Sequence, residues 1–235
     1  MKQVLTISTI AAILALLTLP ALGASSYLGG FSGIIMTPNE VIVPAQTWEV
    51  SVHDTPRLFG GNNSDLLTVG LTYGLTPNLE VGASYIKDDD NQVAVSGKYR
   101  LVPETASAPG ITVGVFDVGG VVNSISSDPS FYVMLSKNIT SVASDIAGEP
   151  SKPLRMGLGF GSGFYNGIIA NLDWTLEPRL SLLAEYKGGD RGNDRLRNRA
   201  SVGLRWAASD SLRLDVATVG FRDIGFGLSY RSTFK

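Results

Sequence analysis

The chain has no cysteine, a single histidine and, after residues 4–19, no apolar run long enough to cross a membrane as a helix. Without cysteine there is no disulfide framework and no thiolate metal centre. With one histidine, His53, an acid–base pair for nucleophilic chemistry has only one place to form. Its neighbour Asp54 would point to the opposite face of a strand, because successive strand residues alternate, so the adjacent pair makes no dyad. Charge is sparse as well. Charged residues make up 17% of the chain and the formal net charge is −2, which offers nothing to nucleic acid. No catalytic residue, metal site or cofactor is expected from this inventory.

What is present begins with an export signal. Lys2 supplies a charged start, Val4 to Leu19 an apolar stretch, and Ala21-Leu22-Gly23 small residues at a cleavage position. The apolar stretch is shorter than the ~20 residues a spanning helix needs. Residues 1–23 are therefore expected to be removed, with cleavage after Ala24 nearly as suitable. Residues 24–45 would then precede or enter a domain formed by residues 46–235. An exported domain without disulfides needs another source of stability. A closed barrel in lipid supplies one, since every backbone group pairs and no edge is left.

A recurring hairpin points the same way. Thr72-Tyr73-Gly74-Leu75-Thr76-Pro77-Asn78-Leu79, Asp173-Trp174-Thr175-Leu176-Glu177-Pro178-Arg179-Leu180 and Arg205-Trp206-Ala207-Ala208-Ser209-Asp210-Ser211-Leu212 share one plan. Each places an aromatic at the end of an alternating run, then a short turn, then a run that opens on Leu. Tyr73, Trp174 and Trp206 would form an aromatic girdle at one height, as at the lipid–water boundary of membrane barrels. Period-two alternation recurs in about twelve segments of roughly ten residues, the length a tilted strand needs to cross a bilayer. The fold class predicted is all-β, an antiparallel up-and-down transmembrane barrel of twelve strands, with ten as the alternative count. A soluble β-sandwich also alternates, but it does not turn a face rich in Gly and charge against an apolar face in nearly every strand.

Ahead of the strands, Gly33-Ile34-Ile35-Met36-Thr37-Pro38 resembles the opening of the YjbH-like exopolysaccharide outer-membrane proteins. Tyr73-Gly74-Leu75, followed by Leu79-Glu80-Val81-Gly82, is similar to that family's recurring hairpin. The resemblance implies a short, single-barrel relative that assists passage of a polysaccharide across the outer membrane, with other export components as partners. From the residues alone, Pro38 and Pro44 exclude a central strand here. Ile34, Ile35 and Met36 must nevertheless be buried, and a segment tucked into the periplasmic mouth of the barrel would satisfy both.

The strand phase assigns the lumen. Lys98, Arg100, Arg155, Lys187, Arg199, Arg205, Arg213 and Arg231 would face inward against Glu49, Glu80, Asp173, Glu185 and Asp215. One reading is a cationic solute path carried by Lys98, Arg100, Arg155, Arg205 and Arg213. The other is a largely occluded interior of structural ion pairs, since charges away from water must be paired. Inward glycines such as Gly70, Gly82, Gly157, Gly203 and Gly227 would serve curvature at barrel bends. Two loops remain. Asp88-Asp89-Asp90-Asn91 is a solvated turn or a weak Ca²⁺ ligand set, and Gly192-Asn193-Asp194-Arg195-Leu196 is a single unit of a pattern that binds Ca²⁺ only when stacked. Arg191, Arg195, Arg197 and Arg199 would suit lipopolysaccharide. The alternating end Phe226–Phe234 resembles the signal read by the barrel-insertion machinery. Three functions stay open: exopolysaccharide export, a general small-solute pore, and a structural barrel of the Gram-negative outer membrane.

Overall fold

Twelve alternating segments fold into twelve antiparallel strands that close on themselves. A computed structural model describes residues 24–55, 66–87, 91–122, 126–140, 152–189, 199–221 and 223–233. The expected export signal, Asp88–Asp90 and residues 192–196 of the candidate Ca²⁺ loops, Arg191, Arg195, Arg197 and the last two residues lie outside them. Two short strands, β1 (Ala24–Ser25) and β2 (Ser32–Gly33), pair with each other. The barrel follows: β3 (Thr47–Thr55), β4 (Leu66–Thr76), β5 (Leu79–Lys87), β6 (Asn91–Val102), β7 (Gly110–Phe116), β8 (Ser130–Asn138), β9 (Leu154–Gly161), β10 (Gly167–Glu177), β11 (Leu180–Lys187), β12 (Arg199–Ala207), β13 (Leu212–Val219) and β14 (Asp223–Thr233). Each strand pairs with the next, and β14 pairs with β3, Leu228 opposite Val52.

The connections differ at the two ends. At one end β4–β5, β10–β11 and β12–β13 are joined by tight turns. In the last of these the Ser209 hydroxyl accepts from the N–H groups of Ser211 and Leu212, the side-chain turn chemistry of serine. The register shifts of the sheet, near Thr76, Val102 and Glu177, also fall at this end, as bulges do at barrel rims. This turn end also carries two longer connections, residues 103–109 and residues 139–153, while the opposite loop end joins its strands through three to thirteen residues; the two-residue turns lie at the turn end.

The alternation sorts side chains as the strand phase predicts. Val93, Val95, Leu135, Leu158, Leu204, Leu214 and Leu228 point outward and are exposed, with Leu158 at 59%. Such an apolar outer surface is stable only against lipid or a partner. Trp174 and Trp206 stand in it near the turn end. Tyr73 lies at the same height, opposite Trp48, whose ring is 5.7 Å from that of Tyr230. Tyr85, Phe131, Phe160, Tyr186 and Phe226 mark the loop end. The apolar band thus runs between two aromatic belts.

The core lies inside the cylinder. Residues 24–45 do not stop at the mouth but run through the lumen, most of them fully buried. Tyr27 reaches the loop end, where its hydroxyl donates to Gly225 O (3.3 Å) and its ring stacks on His53. Phe31 packs against Phe116 and Tyr132. A 3-10 turn, Gly163–Tyr165, folds over this group and adds Phe164 and Tyr165. At the turn end the segment passes Gly74 at Val43 and Pro44. Gln46, in the left-handed region at φ 59°, redirects the chain into β3.

Candidate functional site in the barrel lumen

The N-terminal segment is held chiefly through its main chain, by charged side chains of the wall. Glu185, on β11, accepts the N–H groups of Ile35 (3.2 Å), Met36 (2.9 Å) and Thr37 (2.9 Å), and the Thr37 hydroxyl as well. One turn of chain thus converges its dipoles on one carboxylate, the geometry of an anion nest. Beside it Arg205, on β12, donates to the carbonyls of Gly33 (3.3 Å) and Ile34 (2.8 Å) while pairing with Asp215 at 2.8 Å. Asn171, on β10, donates to the Pro38 carbonyl and the Thr37 hydroxyl. The motif Gly33–Pro38 is therefore the turn that these three strands grip.

A second grip lies across the lumen. Glu80 accepts the N–H groups of Ser32 and Val43, both at 2.7 Å. Lys98 stands 3.2 Å from Glu80 and donates to the carbonyls of Ser32, Asn39 and Val41. Two stretches of the segment distant in sequence, residue 32 and residues 39–43, are tied to one ion pair. Glu49 receives the Ser25 hydroxyl (2.7 Å) and pairs with Arg231 (2.6 Å), with Arg213 at 3.9 Å. At the turn end Arg155 pairs with Glu40 of the segment and with Glu104.

Where these grips leave gaps, the wall steps back. An added Cβ at Gly70 would lie 2.7 Å from Gly29 Cα, and one at Gly82 would lie 2.2 Å from the Gly30 oxygen. Gly29 and Gly30 both take left-handed φ, 67° and 68°, which lets their turn lie flat on β4 and β5. Curvature alone does not account for these wall glycines. They form a shelf for another piece of backbone.

The inward residues fall into three groups. Lys98, Glu185, Arg205 and Arg155 touch the segment directly, Arg155 at the Glu40 carboxylate. Arg213 and Asp215 support them through Glu49 and Arg205, and Asp173 lies opposite Arg155 on the neighbouring strand. Arg100 stands apart at the turn end, its guanidinium on Pro77 O and the Asn78 side chain. A continuous cationic path is not formed. Each of Lys98, Arg155 and Arg205 faces a carboxylate, because an isolated charge in this interior would be too costly. His53 stacks on Tyr27 at 4.7 Å, and no carboxylate or hydroxyl bonds its ring nitrogens among the described residues. Sequence reasoning brought residues 24–45 to the mouth of the barrel but did not carry them through the lumen. The run of apolar residues at 34–36 between Gly and Thr-Pro was the available signal.

No family model and no curated protein matches the chain. Among solved structures, it is similar to KdgM porin, with a TM-score of 0.51 and 12% identity over 80% of this chain and 99% of that one. KdgM porin in complex with disordered oligogalacturonate gives a TM-score of 0.50 over the same shares, also at 12% identity. The Acinetobacter baumannii outer membrane protein Omp33 aligns at 13% identity and a TM-score of 0.49, over 80% and 98%. At such identity the likeness is one of fold. The chain is a closed, antiparallel, twelve-stranded barrel of the architecture that porins use.

Proposed function

We propose that this protein is an outer-membrane, porin-like barrel whose solute passage is closed by its own N-terminal segment. The observation that carries this reading is that residues 24–45 fill the lumen through polar grips on charged wall groups, not through an apolar core alone. Carboxylates and cations can exchange such partners for water. A wall released from the segment would be a hydrated bore of both charge signs, with cations in excess, lined also by the hydroxyls of Thr68, Thr72, Ser84, Ser96 and Thr112. The export signal, the apolar band between aromatic belts and the porin-like fold support an outer-membrane location. Lipopolysaccharide and the insertion machinery follow as partners from that location.

Exopolysaccharide export, which the resemblance of Gly33–Pro38 implies, draws no support from the comparisons. A general small-solute path is the better reading. Single-channel recording in a planar bilayer tests it. The mature chain should be mostly silent, and a variant lacking residues 24–45 should conduct steadily while keeping heat-modifiable migration. A folded variant that stays silent would reassign the protein as a structural barrel.

A further inference from the structure

We infer that the lumen is a binding site for peptide main chain, and that the solute class the barrel accepts is a short peptide rather than a sugar chain. The inference rests on the reading of the lumen as a passage. Its basis is the pattern of atoms the wall addresses. Glu80 and Glu185 take the N–H groups of Ser32, Ile35, Met36, Thr37 and Val43. Lys98, Arg205 and Asn171 take the carbonyls of Ser32, Gly33, Ile34, Pro38, Asn39 and Val41.

The order of these groups matches a polypeptide. Arg205 holds two successive carbonyls and Glu185 the next three N–H groups, so neighbouring strands read consecutive peptide units. On the other side the glycine shelf at Gly70 and Gly82 admits backbone at a distance that any side chain would forbid. A sugar chain can offer hydroxyls to Glu185 but does not present two successive carbonyls to Arg205 followed by three successive N–H donors to Glu185. Ser25, Ser32, Asn39 and Glu40 are read through their side chains too, but from residue 33 to residue 38 the wall's polar groups address main chain at every point except the Thr37 hydroxyl. Recognition directed at main chain tolerates sequence, which suits a site that must also accept chains other than its own.

The test keeps the barrel folded and makes the segment exchangeable. A specific protease site is inserted at exposed Gln46, and the chain is cut after refolding in micelles. Exchange is then followed with a fluorescent synthetic peptide of residues 24–45 by polarisation. We expect uptake of the labelled peptide, and competition by unrelated glycine-rich peptides but not by maltohexaose or an oligogalacturonate. N-methylation of the peptide at Met36 and Thr37 should weaken it about tenfold or more, the loss of charge-assisted hydrogen bonds. Glu185→Gln in the barrel should weaken the unmethylated peptide in the same direction. Competition by the sugars alone, or equal binding of the methylated peptide, would overturn the inference. So would a cut barrel that takes up no peptide. Because exchange is read without current, this outcome is separate from whether the open barrel conducts.

Discussion

Lys98 and Glu80 face each other from neighbouring strands, Nζ 3.2 Å from Oε1, and neither side chain touches solvent. The pair is isolated from water yet shared with seven groups of the N-terminal segment: the N–H groups of Ser32 and Val43, the carbonyls of Ser32, Asn39 and Val41, the Ser32 hydroxyl and the Asn39 side-chain oxygen. It is at once a wall contact and a latch.

Removing one partner should therefore do more harm than removing both. Lys98→Met leaves Glu80 buried without its cation, and Glu80→Gln does the converse. Each should cost about 3–5 kcal/mol, while the double variant should recover part of that loss. A double-mutant cycle on urea unfolding of the refolded barrel checks this. Additive costs would mean that the two groups act independently.

The glycine shelf gives a steric prediction. Gly82→Val places bulk where the Gly30 oxygen lies. The segment should leave the lumen, with new proteolysis within residues 24–45 and a rise in conductance. Gly97→Ala is the control, since its added Cβ meets nothing closer than 4.0 Å. It should leave both readings unchanged.

The outer band predicts a depth dependence. Leu158→Arg puts a charge at mid-height of the apolar surface and should cost about 2–4 kcal/mol of stability in lipid. Trp206→Arg lies near the turn-end belt and should cost about 0–1 kcal/mol. Equal costs would show that the band is not centred on the bilayer.

Tyr27 predicts alkaline behaviour. Burial, reinforced by the charge of Asp215, pushes its phenol well above the ordinary tyrosine value. A neutral phenol is what the folded state binds. Its stabilising contribution is thus complete below about pH 10 and declines as pH rises past the unfolded value toward the folded one. Phenolate absorbance, compared between wild type and Tyr27→Phe, should show no ionisation of residue 27 until the segment is released. A phenol that titrates near pH 10 with the lumen still filled would contradict its burial.

Much of the barrel was legible because period two is a local property. Trp48, Val50 and Val52 against Glu49, Ser51 and His53 give a strand and its two faces without knowledge of any partner. The contents of the lumen were not legible in the same way. Ile35 and Glu185 are 150 positions apart, and Ser32 and Lys98 are 66 apart. They meet only because the sheet closes. The same distance explains the reading of Gly70 and Gly82 as bends: the backbone that needs their missing side chains lies some 40 residues upstream or more. Charge told a similar half-truth. Strand phase alone turns Lys98 and Arg205 to the buried face, but their carbonyl partners belong to a segment that carries little charge of its own.

Tyr27 touches the two strands that join the ends of the sheet, Gly225 on β14 through its hydroxyl and His53 on β3 through its ring. Every other neighbouring pair in the barrel is consecutive along the chain, so the β14–β3 seam is the one junction that no hairpin enforces. With Tyr27 and Gly225 198 positions apart, it is also the slowest junction to find. Tyr27 thus acts as a clasp across the last gap to close. Amides of β3 and β14 should exchange hydrogen faster when the clasp is gone, and the cylinder should yield there first.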